Sequence, residues 1–146
     1  MTSTDTVTVL FTDVVGSTSL RTGRGDAAAQ EIIHVHNELV RHQIEQHSGQ
    51  EVKTIGDSFM VAFASARKAV ECAVAVQRAL EEHNRRHPDQ QVQVGIGLNT
   101  GEAIREEGDL FGSAVDAAAR IMAKAEGGQI LVSETVRAVI GSAAVP

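Results

Sequence analysis

The chain has 146 residues, 42% hydrophobic and 22% charged, with a net charge of −6, ordinary composition for one globular domain with a real core. The acidic balance argues against a nucleic-acid binder, which would show a basic face, and no run of about 18 apolar residues is present to span a membrane. Met1–Asp5 lacks the basic and apolar regions of a signal peptide, and the single Cys72, at helical spacing with Ala69, Ala73 and Val76, reads as core packing in a reducing cytoplasm.

In chain order, alternation of Val7, Val9 and Phe11 with Thr8, Leu10 and Thr12 predicts a strand over 6–12. A helix over 26–47 follows, with Ile32, Ile33, Val35, Leu39, Val40 and Ile44 at three- and four-residue steps; Ser48-Gly49 ends it in the manner of a C-terminal glycine stop. Strands at 51–55 and 59–63 form a hairpin around Gly56-Asp57-Ser58. A second helix over 66–86 carries Ala69, Ala73, Val76 and Leu80 on one face and stops before Pro88. A strand over 92–99, a helix over 113–125 broken by Gly127-Gly128, a strand over 129–132 and a short last helix complete the chain. The order β-α-β-β-α-β predicts an α+β, ferredoxin-like split-βαβ sheet with helices on one face, plus an additional helix and strand, in a single domain over 1–146. His83 and His87 are an i, i+4 pair, but beside Arg85, Arg86 and Pro88 they read as solvated basic residues at a helix C-terminus rather than as metal ligands.

Two turns carry the chemistry. Phe11-Thr12-Asp13-Val14-Val15-Gly16-Ser17-Thr18 ends a strand in an acid and a small-residue turn, and Lys53-Thr54-Ile55-Gly56-Asp57 ends another strand in Gly-Asp. Aspartate is common at turns, yet two strands that each deliver one suit a hard cation. Two carboxylates about 4 Å apart repel by about 4 kcal/mol at an effective dielectric of about 20, and a divalent ion between them converts that cost into binding. Gly16-Ser17-Thr18 suits a phosphate cradle, since glycine lets the backbone approach closely and free N–H groups at a helix start attract oxyanions.

These segments resemble the class III nucleotidyl cyclases, which make 3′,5′-cyclic AMP or GMP. The resemblance continues at Val94-Gly95-Ile96-Gly97-Leu98-Asn99-Thr100-Gly101-Glu102 and at Asp109-Leu110-Phe111-Gly112-Ser113-Ala114-Val115-Asp116-Ala117-Ala118-Ala119-Arg120. Four motifs in the family's order cover the chain from about Val7 to Gly141. The resemblance implies that Asp13 and Asp57, with the Val14 carbonyl, hold two Mg²⁺ or Mn²⁺ ions, and that the ribose 3′ hydroxyl attacks the α-phosphorus while pyrophosphate leaves. It implies that Arg120 donates to the α-phosphate in the transition state. It implies further that the fold works as a head-to-tail homodimer, one subunit giving Asp13, Asp57 and the phosphate loop and the other Lys53, Asp109 and Arg120.

Lys53 and Asp109 resemble the base-reading pair, and residue chemistry then selects the base. Lysine only donates and carboxylate only accepts, which matches adenine's N1 acceptor and N6 amine. Guanine presents N1–H and O6 there, donor against donor and acceptor against acceptor. ATP is therefore the expected substrate, with a guanylate cyclase as the alternative; Leu110 and Val115 are candidate walls of the base pocket or plain core. At two places the chain departs from the family. Asp116 stands where Asn usually positions the ribose; it adds negative charge beside a triphosphate and lies four residues before Arg120, a spacing that forms ion pairs. Family members also continue past the last helix with a lysine that reaches the triphosphate. Nothing after Gly141 matches that and Lys124 sits in another element, so the domain reads as shortened or as drawing triphosphate affinity from elsewhere. These departures keep a second alternative open, a nucleotide-binding pseudo-cyclase acting as a regulatory dimerisation module.

Overall fold

The computed structural model describes residues 2–16 and 25–141. Strands β1 (Thr2–Val14), β2 (Gln50–Ile55), β3 (Ser58–Phe63), β4 (Val94–Glu106), β5 (Asp109–Phe111) and β6 (Ile130–Val132) alternate with helices α1 (Asp26–Gln46), α2 (Ala66–Arg86), α3 (Ser113–Ala123) and α4 (Glu134–Ile140). The sheet runs β2-β3-β1-β4-β5, with β6 alongside β4. Each pairing on the main path is antiparallel, whereas β6 lies parallel to β4 at Ile96–Leu98. This is the split-βαβ sheet expected, followed by β5, α3, β6 and α4, of which β5 is not among the predicted elements.

Pleating divides the side chains between two faces. Leu10, Val14, Phe59, Val61 and Phe63 face α1 and α2 and form one core with Ile33, Val40, Cys72, Val76 and Leu80. Val7, Val9, Phe11, Met60 and Ala62 form a second core with Val115 and Ala118 of α3. The two helices of the βαββαβ unit thus share a face, and the additional helix α3 covers part of the other. Its close approach depends on Gly97 of β4, where a Cβ would lie 2.3 Å from the Met122 amide nitrogen.

Local sequence explains the helix ends. Ser65 caps α2, its hydroxyl accepting from the Lys68 amide at 3.2 Å. At the end of α1 the left-handed residue is Ser48 (φ 60°) rather than Gly49, and the Gly49 amide donates to the Ile44 carbonyl at 2.9 Å. The core of α1 includes His36, fully buried between the apolar turns. At the end of α2, His83 and His87 stack 4.9 Å apart, and His83 Nε2 lies 3.0 Å from the Gln90 carbonyl.

Two strands are longer than periodicity predicts. β1 begins at Thr2, not residue 6, and β4 runs on to Glu106, not residue 99; the two pair over thirteen positions, from Thr2↔Glu106 to Val14↔Val94. The added halves are polar and partly solvent-facing, so no apolar alternation marks them. Cross-strand partners hold them instead: Arg105 Nε donates to Asp5 Oδ2 at 2.7 Å, and the Thr8 and Thr100 hydroxyls meet at 2.7 Å. Asp109, which falls between the predicted strand over 92–99 and the helix over 113–125, opens the short β5, which returns on β4 through a two-residue turn with positive φ at both Glu107 and Gly108, the hairpin geometry that follows strand twist.

Candidate active site

Asp13 lies one residue from the end of β1, exposed, with Val14 beside it buried in the α1/α2 core. Asp57 occupies the second central position of the two-residue β2–β3 turn, where Ile55 pairs with Ser58. Gly56 takes φ 59° at the first position, which an L side chain resists and which this turn type requires. The register Thr12↔Phe59 continues one step to set Asp13 opposite Ser58. There the Ser58 hydroxyl donates to Asp13 Oδ1 at 2.8 Å, so the Asp57 turn stands at the end of β1. Gly16 follows in a turn with φ 71°; Ser17 and Thr18 lie outside the described residues.

Among the described residues no three His, Cys, Asp or Glu side chains gather to hold a metal. Asp13, with Asp57 in the turn beside it, offers carboxylates of the kind that fit Mg²⁺ or Mn²⁺: such an ion is usually bound through one or two carboxylates and substrate phosphates while keeping several waters.

Lys53 reaches a second locus through a bulge. Glu51 pairs with Val61, but Lys53 pairs with Met60, so Val52 is the extra residue. Without it Glu51 and Lys53 would share a face. With it, Glu51 stays on the α1 side, where Arg41 binds it at 2.9 and 3.1 Å, and Lys53 turns to the α3 side. There Lys53 Nζ donates to Asp109 Oδ2 at 2.8 Å, while Asp109 Oδ1 accepts from the Leu110 amide at 2.7 Å. The ammonium, and secondarily that amide, holds the Asp109 carboxyl below its ordinary value despite partial burial. A depressed carboxyl pKa keeps the pair intact at neutral pH and releases it as pH falls through that value, below about pH 4.

The pair opens onto a cleft of about 380 Å³ whose walls include Phe11, Ile55, Met60, Leu110 and Val115, with Asp116 at its edge. Leu110 and Val115 are both wall and core, being buried and packed with Phe11 and Met60. A larger cavity of about 520 Å³ lies between α1 and α2 around Gln43 and Arg78 and is lined by none of the motif residues, so size alone does not select the site. Asp116 and Arg120 are exposed on α3. Contrary to the spacing argument, they form no ion pair with each other among the described residues, because the two side chains do not converge within bridging distance.

The structure therefore gathers motif residues into two groups, Asp13 with Ser58 and the Asp57 turn, and Lys53 with Asp109 and Asp116, and leaves Arg120 in neither. Asp13, Asp57 and Arg120 do not line the cleft. Residues 1–144 match the family model described as the adenylate and guanylate cyclase catalytic domain. The chain belongs to the class III nucleotidyl cyclases. An adenylate cyclase of Mycosarcoma maydis is 36% identical over 155 residues, 89% of this chain. An adenylate/guanylate cyclase/hydrolase structure from Silicibacter pomeroyi is 33% identical with a TM-score of 0.87, over 95% of this chain and 81% of that one. A guanylyl cyclase structure is 28% identical with the same TM-score, over 96% of this chain and 80% of that one. The cyclase domain spans only 6% of the Mycosarcoma maydis relative's length and 22% of a Rhizobium meliloti relative's. No helix among its described residues is long and apolar enough to cross a membrane.

Sequence reasoning passed over Ser58, which touches Asp13, and the exposed apolar rim formed by Ile55 and Phe111. Strand alternation carried through the Gly-Asp turn could have placed Ser58 on the Asp13 face; nothing in the sequence marks the Val52 bulge that aims Lys53.

Proposed function

We propose that this domain is an adenylate cyclase, converting ATP to 3′,5′-cyclic AMP and pyrophosphate at sites completed between two head-to-tail copies in the cytoplasm, where ATP is available. The observation that carries the reading is the preformed Lys53–Asp109 pair in an apolar cleft. An ammonium has three donors, so one engaged by Asp109 leaves others for adenine N1. The Asp109 carboxylate, holding Lys53 and the Leu110 amide, keeps lone pairs for the N6 amine. Each partner orients the other, and guanine covering the pair would leave both polar groups mismatched, a penalty that can reach about 10⁴ in discrimination.

Asp13 and Asp57, with the Val14 carbonyl, would hold two Mg²⁺ or Mn²⁺ ions, whose charge favours the ribose 3′ alkoxide and the leaving pyrophosphate. Gly16, Ser17 and Thr18 would cradle the phosphates. Arg120, exposed and unpaired by Asp116, would donate to the α-phosphate oxygens of the partner copy's substrate as charge develops there. Asp116 would face the ribose. The separation of the two groups within one chain supports an interface site, and two such interfaces follow from two-fold symmetry.

Incubating the purified chain with Mn²⁺ and either ATP or GTP, then detecting cyclic nucleotide, tests this reading: cyclic AMP is expected in excess. The likeness to a guanylyl cyclase structure supports a second reading, guanylate cyclase activity, which cyclic GMP as the main product would establish. Nucleotide binding with neither product would leave the pseudo-cyclase module.

A further inference from the structure

We propose that Ser58 is a positioning residue for the acid pair, its hydroxyl setting the Asp13 carboxylate so that one oxygen is presented to a divalent ion. This inference rests on the metal reading above. Ser58 stands on the same sheet face as Met60 and opposite Asp13, as the β1–β3 register requires. It donates to Asp13 Oδ1 at 2.8 Å, and its backbone continues directly from Asp57. One residue thereby fixes an oxygen of the first acid and the chain direction of the second.

The rest of the ladder shows why a side chain is needed here. One step inward, the Phe59 amide donates to Thr12 Oγ1 at 3.1 Å, so this end of the β1–β3 pairing is held by hydroxyls as well as by backbone. Asp13 is exposed, and among the described residues Ser58 is the hydrogen-bond partner that restrains its rotation. An octahedral ion such as Mg²⁺ or Mn²⁺ tolerates little error in ligand placement. With Oδ1 engaged by Ser58, Oδ2 is left to bind through a single oxygen. Removing a group that orients a metal ligand commonly weakens metal affinity 10- to 100-fold; the Ser58 bond is solvent-exposed, which sets the expectation at the low end.

The test is Mn²⁺ binding to the full chain, read from the electron paramagnetic resonance signal of free Mn²⁺, together with the Mn²⁺ dependence of turnover. Ser58→Ala should raise the Mn²⁺ Kd and the Michaelis constant for Mn²⁺ about tenfold, with kcat at saturating Mn²⁺ and the urea midpoint close to the parent's. Ser58→Thr, which keeps the hydroxyl, should bind Mn²⁺ as the parent does. If Asp13→Ala weakens Mn²⁺ binding while Ser58→Ala does not, or if Ser58→Thr loses as much as Ser58→Ala, the positioning role is overturned and the metal reading stands. If Asp13→Ala itself leaves Mn²⁺ binding unchanged, the metal reading fails and the inference falls with it.

Discussion

The two faces of the sheet are covered unequally. On one, α1 and α2, each of 21 residues, bury a continuous core from Ile33 and Val40 through Val61 and Phe63 to Val76 and Leu80. On the other, the 11-residue α3 covers the β4 and β1 side and packs on Leu110 of β5, leaving β2, the β2–β3 turn and Phe111 uncovered. The uncovered part holds the cleft, the Lys53–Asp109 pair and the exposed Ile55 and Phe111. The larger core thus lies on the closed face and the proposed site on the open one, so substitutions on the two should fail in different ways.

The sharpest contrast pairs Leu80→Ala with Asp13→Ala or Asp57→Ala. Leu80 is buried to 2% exposure between α2 and the sheet, and its truncation should cost about 2–5 kcal/mol in urea unfolding with turnover per folded molecule unchanged. Either aspartate variant should lose about 10³-fold or more in cyclisation, the several kcal/mol a metal supplies to the transition state, while unfolding shifts by no more than about 0.5 kcal/mol. Parent-like turnover by an aspartate variant, with metal supplied, would remove the acids from the site.

Arg120 lies on the open side, and its distance from the acid corner can be tested by complementation. Asp57→Ala and Arg120→Ala chains should each be inactive alone. Mixed in equal amounts they should regain about a quarter of parental activity, because half of randomly assembled dimers are mixed and each keeps one of two sites. No recovery, under conditions where mixed dimers are demonstrated, would confine each site to a single chain.

How the closed and open faces were legible in the sequence differs too. Helical steps such as Ala69, Ala73, Val76 and Leu80 announce the closed face, because burial on one side imposes the period. The open face follows weaker signals. Thr2–Asp5 and Thr100–Glu106 pair through polar side chains and carry no alternation, and β5 is only three residues long. The acids, Lys53 and Asp109 were legible as candidate residue types at strand ends. Which of them meet was not: strict alternation would put Lys53 beside Glu51, and only the Val52 bulge brings it to Asp109. Ser58 needed the cross-strand register, which a single strand's sequence does not contain.

Replacing Lys53 by Glu and Asp109 by Ala should move the ATP-to-GTP preference by about 10²-fold or more, since a site that leaves a base's polar edge unpaired discriminates at least that strongly. The new carboxylate would accept from guanine N1–H and its amine, and nothing would repel O6. An unchanged kcat/KM ratio for the two nucleotides would assign base reading to other residues of the cleft. Asp116→Asn should have a smaller effect. Because Asp116 does not pair with Arg120, its carboxylate is not what orients that arginine, and in the proposed site its remaining influence would be charge beside the triphosphate and a missing donor to the ribose. Asn should raise turnover about five- to tenfold, the value of one regained hydrogen bond of about 1–1.5 kcal/mol. Reduced turnover with unchanged Michaelis constants would instead make Asp116 a transition-state contact.

The smallest effect belongs to the closed face and returns to His36. Its ring is fully buried and tilted against Phe59, with centroids 5.9 Å apart; Nδ1 lies 2.8 Å from Asn37 Oδ1, and Nε2 has no hydrogen-bond partner among the described residues. Burial is the main cause that lowers its pKa, assisted by Arg41 and opposed by Asn37, Asp57 and the Ile33 carbonyl. The folded value thus lies below the unfolded value of about 6.5, so the unfolded chain takes up the proton first. Stability is fully present above about pH 6.5 and falls as pH drops through the window below it, at no more than about 1.4 kcal/mol per pH unit from this one group. His36→Leu fills a similar volume without a titrating nitrogen and should remove this part of the decline between pH 7.5 and 5.5, measured as urea midpoints at fixed ionic strength. Since Nε2 is already unpartnered, the same variant should lose little stability at pH 7.5. A decline as steep in His36→Leu as in the parent would show that the acid sensitivity of the closed face comes from another group.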